Sequence, residues 1–266
     1  MSVLSIIQIV ISAMLGAALG SFFNVVAHRS VEGRPWWGKE RSVCESCGKE
    51  LSTVELVPIV SWLAQKGRCR SCKARVSPRY IVVELLGAAG AGLMAWRWGV
   101  SWGYVLSMAG CFGLLLNALT DYVSSDVFDV FALAMGVCGI AVRVFGGWDA
   151  LVDGLAGAAV GGGIFAFIII ASRGGMGWGD ASFMAGFGAI LGWRMTLLAF
   201  YSGIMAGGVG IVWLMLSGKV KWGRKDSVPL VPYLAAGGFF TLLYGPEVIK
   251  YLGKHFQQVF QPGWPW

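Results

Sequence analysis

Gly174-Gly175-Met176-Gly177-Trp178-Gly179-Asp180 is a glycine-rich break ending in a lone carboxylate. It separates two long apolar runs, Leu151 to Ala171 before it and Asp180 to Leu216 after it. Glycine lets backbones approach where a side chain would clash. A carboxylate at the edge of a membrane-length run is different: it is expensive there, about 2.5 to 3.5 kcal/mol at a helix centre, so it needs a partner or a purpose. The plain reading is that Asp180 caps the helix that follows, where free N–H groups and the macrodipole favour an anion.

Working outward, the composition agrees with a membrane setting. The 266 residues are 56% hydrophobic and 13% charged, with 40 glycines. A soluble domain carries about 25% charged residues. The net charge of +7 is concentrated in one segment and comes with no nucleic-acid-binding motif, so it reads as membrane topology and not as a nucleic-acid footprint.

Leu4 to Ala27 is an uncharged run of 24 residues, long enough to cross about 30 Å of hydrocarbon as a helix. No Lys or Arg precedes it, so it reads as a retained helix entering with its N-terminus outside. Residues 28–79 form the one large hydrophilic segment and hold 11 of the 21 basic residues, which places the segment in the cytoplasm. Further apolar runs follow at 80–98, 102–120, 127–145 and 151–171. The run from Asp180 to Leu216 is too long for one crossing and must turn near Gly192 to Arg194 or Ser202 to Gly203. A last run, Val228 to Tyr244, begins with Pro229 and Pro232.

The expected fold is therefore all-α, a polytopic membrane protein of about eight transmembrane helices. Its expected divisions are a first helix at 1–27, a cytoplasmic loop at 28–79, a membrane core at 80–252 and a tail at 253–266 ending in Trp264-Pro265-Trp266. This helix count puts 16 basic residues on the cytoplasmic side and 5 outside, counting Arg97, Arg143, Arg194, Lys250 and Lys254 as outside, in keeping with the positive-inside rule. Lys219, Lys221, Arg224 and Lys225 read as part of the inside anchor.

The same count brings Asp121, at the end of the third apolar run, to the face that carries Asp180. Two close carboxylates can share one proton: one activates water as a base while the other hydrogen-bonds the scissile carbonyl. Asp126 and Asp129 compete with Asp121 for that role, and a solvated helix-end carboxylate is the bland alternative for all three. Cys44-Glu45-Ser46-Cys47 and Cys69-Arg70-Ser71-Cys72 form two CxxC knuckles 21 residues apart, the pattern of a four-cysteine zinc ribbon. Four thiolates close a tetrahedral shell, so the expected zinc is structural, with redox thiols or an iron site as the alternatives. Cys111 and Cys138 sit in apolar runs as packing residues. Glu84 asks for a partner such as Arg79, or for a site role, while Asn24 and Asn117 suit helix-packing contacts. His28 and His255 lie near membrane ends and make no metal site by themselves.

Taken in order, these residues resemble the type IV prepilin peptidases. The likeness runs from Gly20-Ser21-Phe22-Phe23-Asn24-Val25-Val26 through the four-cysteine loop to Arg79-Tyr80 and Glu84. It continues through Ala118-Leu119-Thr120-Asp121, Gly177 to Asp180, and Pro229-Leu230-Val231-Pro232-Tyr233. It implies an inner-membrane aspartic protease whose catalytic residues fall on Asp121 and Asp180, with the active site at the cytoplasmic face. The implied substrate is a prepilin or pseudopilin precursor of a type IV pilus or type II secretion system, with a basic leader and an apolar helix. The implied second activity is N-methylation of the new N-terminus, with S-adenosylmethionine as donor. Phe128 stands where the family has a proline before Asp129, and Ala181-Ser182 where it often has a lysine. No GxGxxG turn marks a donor pocket; the region of Asn24 and Glu84 is a guess for it. Other proteases with a GxGD motif lack such a cysteine loop. A second reading, a membrane scaffold or transporter whose cysteine loop captures a partner, predicts no proteolysis.

Overall fold

The computed structural model of the chain describes residues 2–38, 41–173, 175–218 and 229–255. Lys39, Gly174, Lys219, Lys221, Arg224, Lys225, Val228 and the Trp264-Pro265-Trp266 tail lie outside the described residues. The described chain is helical: α1 (Val3–Val31), a 3₁₀ turn (Thr53–Leu56), α2 (Val60–Ala64), α3 (Pro78–Trp98), α4 (Trp102–Ser124), α5 (Asp129–Val144), α6 (Trp148–Ala171), α7 (Trp178–Leu191), α8 (Trp193–Leu216) and α9 (Val231–His255).

Eight of these are long, and α1, α3, α4, α6 and α8 are long and apolar enough to cross a membrane. α5 and α7, with 16 and 14 residues, reach only about 24 and 21 Å at 1.5 Å per residue, short of a 30 Å hydrocarbon layer. Large apolar side chains stay exposed along them, as at Val130, Leu133 and Val137 on α5 and Phe167 and Ile170 on α6. Lipid, not water, is the solvent such faces suit. The protein is a multi-pass membrane protein.

The chain divides into two compact units, Met1–Gly99 and Val100–Trp266. α3 thus groups with α1 and the hydrophilic segment, a division at Gly99 where the sequence suggested one at 79 and 80. In the first unit, α1 and α3 meet through small residues. A Cβ on Gly16 would strike the Gly87 carbonyl, and one on Gly20 would lie 2.8 Å from the Val83 carbonyl oxygen. Such spacing is the close-approach motif of membrane helices.

In the second unit, α7 is the central element, with nine of its 14 residues buried. Its glycines let it press on two neighbours: Gly186 faces the Ala132 carbonyl of α5, and Gly188 faces Gly157 of α6. The long apolar run turns at Gly192, whose φ of +80° favours glycine and which ends α7 and starts α8 at once. That is the first of the two turning points expected. α9 begins with Pro232 in its first turn, as proline prefers, and runs through Pro246 to His255, well past the expected end at Tyr244.

Two expectations change here. Arg143, counted among the outside charges, is fully buried in α5: its guanidinium donates to Asp153 Oδ2 at 2.9 Å and to the Ile190 carbonyl at 2.9 Å, and it thereby satisfies the end of α7. Cys138 is exposed, whereas Cys111 is buried as expected of a packing residue.

Candidate functional site

Helix parity returns the C-terminal end of α4 and the N-terminal ends of α7 and α9 to one end of the second unit. Asp121 sits in the last turn of α4 and is 5% exposed. Its Oδ2 accepts a hydrogen bond from the Val231 N–H, the first helical residue of α9, at 2.9 Å. An N–H can only meet an acceptor, so this oxygen carries no proton. The turn after Asp121 closes through Ser125, in the left-handed region at φ 58°, whose N–H donates to the Asp121 carbonyl at 2.8 Å. Asp126 and Asp129 are both exposed, and burial separates Asp121 from them.

Asp180 is half-buried in the first turn of α7, at the same end of the second unit as Asp121. It is not the helix cap that its position suggested. The N-cap is Gly177, and no side chain caps this helix. The two glycines of the motif do different things. A Cβ on Gly179 would lie 2.8 Å from Val127 Cβ and 3.0 Å from the Val127 carbonyl, so Gly179 lets the Asp121 side of the turn approach α7. A Cβ on Gly177 would have its nearest neighbour at 4.0 Å. Phe128, which stands in place of the expected proline, has a φ of −82°, near the value a proline imposes, and forms the N-cap of α5.

The four cysteines converge in the first unit. Cys44, Cys47, Cys69 and Cys72 place their sulfurs within 4.8 Å of one another. The Cys44 and Cys72 sulfurs stand 3.9 Å apart. Ligands about 2.3 Å from a tetrahedral ion lie about 3.8 Å from each other, so the cluster fits a zinc-sized ion and is too wide for a disulfide. Each knuckle is built alike. The Cys44 N–H donates to the Lys49 carbonyl and the Cys69 N–H to the Ala74 carbonyl, with Gly48 and Lys73 at positive φ in matching places. The N–H groups of Cys72 and Ser71 pull the Cys69 thiol down to about 6, which readies it as a thiolate ligand.

Above the α1–α3 seam the first unit holds a cleft of about 500 Å³, lined among others by Ser21, Asn24, His28, Trp62, Tyr80 and Glu84. Glu84 does not pair with Arg79, which lies over the Tyr80 ring instead. Its carboxylate, 7% exposed, accepts the Ile59 N–H at 2.6 Å. Ile59 is at φ 63°, ψ −54°, and the Val60 N–H reaches the Pro58 carbonyl at 2.6 Å across it. That is a γ-turn in its rare, strained hand, on a β-branched residue. Asn24 ties α1 to α3 by donating to the Tyr80 carbonyl at 3.4 Å, while its Oδ1 and the Trp62 Nε1 are buried without a partner.

The sequence pointed to Asp121, Asp180, Asn24, Glu84 and the cysteines. It missed the Val231 N–H and the Ile59 turn. A proline-bounded helix start at Pro229 and Pro232 was the only signal available for the former.

Two family models match the chain. Residues 14–98 match the Bacterial Peptidase A24 N-terminal domain, and residues 108–212 match the Type IV leader peptidase family. The chain is also similar to curated proteins named Prepilin leader peptidase/N-methyltransferase. That of Pseudomonas aeruginosa is 31% identical over 265 residues, covering 89% of this chain and 90% of the relative. That of Pseudomonas putida is 32% identical over 271 residues, covering 90% and 92%. The Aeromonas hydrophila protein is 28% identical over 267 residues, covering 90% and 91%. No solved structure matches.

Proposed function

The chain belongs to the type IV leader peptidase family, and from that premise we propose that it removes the leader of prepilin-like precursors and methylates the N-terminus so created. Asp121 and Asp180 are the catalytic pair. The observation that carries this assignment is the burial of Asp121 at the end of the second unit that also carries Asp180, with Asp126 and Asp129 left exposed.

Asp121 acts as base, with one of its oxygens held in place by the Val231 N–H. It takes a proton from water as the oxygen attacks the scissile carbonyl, while the Asp180 carboxyl donates a hydrogen bond to the carbonyl oxygen. Collapse of the tetrahedral carbon breaks the C–N bond, and the proton held by Asp121 passes to the leaving amine.

S-adenosylmethionine, when bound, would supply an electrophilic methyl group to the amine nitrogen, which gives up a proton. The four cysteines hold a structural zinc. The substrate enters with its apolar helix in the lipid bilayer and its basic leader on the cytoplasmic side. The concentration of basic residues in 28–79 supports that side as the one carrying the dyad, with the N-terminus of the chain outside the inner membrane.

The test is co-expression with a precursor. Asp121→Asn and Asp180→Asn each abolish processing while the protein still inserts. Full processing by either variant refutes the pair, and loss with Asp126→Asn or Asp129→Asn alone would move the first role to that residue.

A further inference from the structure

We infer that Asn117 is a positioning residue of the proposed cleavage: its side-chain oxygen, buried one helical turn below Asp121, anchors a water molecule that donates its other hydrogen to the free oxygen of the Asp121 carboxylate. The inference rests on the assignment of Asp121 as the base of the function proposed above.

The interior face of α4 is a stripe that leads to Asp121, and α7 and α9 close over it in layers. Gly110 packs against Ile190 of α7 and Leu242 of α9, and Leu114 and Phe187 meet at Gly238 of α9. Asp121 ends the stripe at Val231, the start of α9. Asn117 lies between these last two layers, four residues before Asp121 and so on the same face of the helix. The residues that continue α7 and α9 toward that end, Phe183, Met184 and Leu234, are buried and apolar.

A carboxamide is out of place there unless something uses it. Asn117 is fully buried, and its nitrogen donates to the Gly113 carbonyl at 2.9 Å. A carbonyl only accepts, so this contact fixes the amide nitrogen on that edge and the oxygen on the other. That oxygen has no hydrogen-bond partner among the described residues. The nearby Thr120 hydroxyl does not serve it, being turned to the backbone carbonyls of Leu116 and Asn117. An asparagine that only glued helices together would bond across to a second helix, and this one bonds within its own. An amide oxygen buried without a donor is costly.

Asp121 supplies the other half. The Val231 N–H takes its Oδ2, and its Oδ1 meets no donor among the described residues. With Asp121 as a carboxylate, the two free oxygens both accept, so they need a shared donor. Side chains four apart on a helix have Cβ atoms about 5 to 6 Å apart, and one water donating to two acceptors spans about 4.5 Å. Buried waters characteristically satisfy such groups. The bridge gives the base a second donor, so that both of its oxygens are held.

The experiment uses the full chain in detergent with a fluorogenic precursor and compares Asn117→Leu, Asn117→Ser and Asp121→Asn with the wild type by kcat, KM and Tm. Leucine removes the acceptor and fills the space of amide and water with apolar atoms; serine keeps an oxygen and leaves room for water. Asn117→Leu is expected to lose about tenfold in kcat, with KM within about twofold and Tm kept or raised. Asn117→Ser is expected to hold kcat within about threefold while its Tm falls. A packing role ranks the two variants alike in stability and in rate, whereas a positioning role reverses the ranking. Should leucine prevent insertion, Asn117→Val carries the same expectation. Wild-type kcat in the apolar variant, a loss confined to KM, or a serine variant as slow as the apolar one overturns the role of Asn117 and leaves the proposed cleavage standing. A wild type that cleaves no precursor, or an Asp121→Asn enzyme that does, overturns the proposed function and this role with it, and both are read with position 117 untouched.

Discussion

Replacing Gly179 by alanine separates the two glycines before Asp180 and tests whether the chain's own packing sets the dyad. The added Cβ would lie 2.8 Å from Val127 Cβ and 3.0 Å from the Val127 carbonyl oxygen. Carbon atoms in contact prefer about 3.5 to 4.0 Å, so one side must retreat by about 1 Å. Both sides carry a proposed catalytic group. Val127 follows the Ser125 turn that closes on the Asp121 carbonyl, and Gly179 immediately precedes Asp180. A displacement of about 1 Å in a catalytic constellation costs about 100-fold, or near 2.7 kcal/mol of barrier. Gly179→Ala is therefore expected to lower kcat for precursor cleavage by about 100-fold, with helicity and zinc content retained. Gly177→Ala is expected to keep kcat within about threefold, since its Cβ meets nothing closer than 4.0 Å, and any effect of a nearby substrate backbone falls on KM. The assay is steady-state cleavage of a fluorogenic precursor by purified protein, read beside circular dichroism. A Gly179→Ala enzyme with kcat within threefold of the wild type, or a Gly177→Ala enzyme equally impaired, refutes the reasoning.

Val231→Pro deletes one N–H at the first position of α9, where proline is otherwise favoured. A hydrogen bond to a charged group is worth about 1.5 to 3 kcal/mol, so kcat should fall by between about 10-fold and 150-fold. Val231→Ala keeps the N–H, and equal kcat values for the two variants would dismiss the contact. Purified protein should carry one zinc per chain, lost with Cys44→Ser; metal-free protein that is folded and active would remove the site. Because Cys69 is drawn down to about 6, its proton is already gone above that pH and still bound below it. The dependence of zinc affinity on pH should thus flatten by one proton as the pH rises through about 6, and an unbroken slope in a competition titration from pH 5 to 8 would contradict this. Arg143→Ala strands the part-buried Asp153 carboxylate and the Ile190 carbonyl, at a cost of about 3 kcal/mol, so the variant should accumulate poorly; Arg143→Met with Asp153→Leu should recover much of the yield, and equal yields would mean the pair is idle.

The helices were legible because apolar runs of membrane length have few other readings, and Gly192 was a visible turning point. Depth was not legible. Asp121, Asp126 and Asp129 are equivalent carboxylates on paper, and only packing buries the first. Arg143 was counted only as an outside charge because composition cannot show that Asp153 pairs with it. Glu84 was recognised as needing a partner, but Arg79, the nearest cation in sequence, was the wrong candidate. The partner is a backbone N–H 25 residues away, presented by a residue whose type disfavours the conformation it adopts. Backbone donors leave no mark in a sequence, and the Val231 N–H escaped for the same reason.

The two ends of α7 show why the chemistry sits where it does. Its C-terminal end is sealed: the Ile190 carbonyl is taken by the Arg143 guanidinium, and Gly192 turns the chain at once into α8. Its N-terminal end has only Gly177 as cap, with no side chain to receive the first N–H groups. Unsatisfied donors cost free energy in an apolar setting, so a fold that satisfies one end with a buried arginine and leaves the other to solvent or substrate is not symmetric by accident of length. At about 21 Å, α7 is too short to carry both ends to opposite membrane surfaces. The end without a side-chain cap among the described residues, where the helix dipole is positive, is the end that bears Asp180.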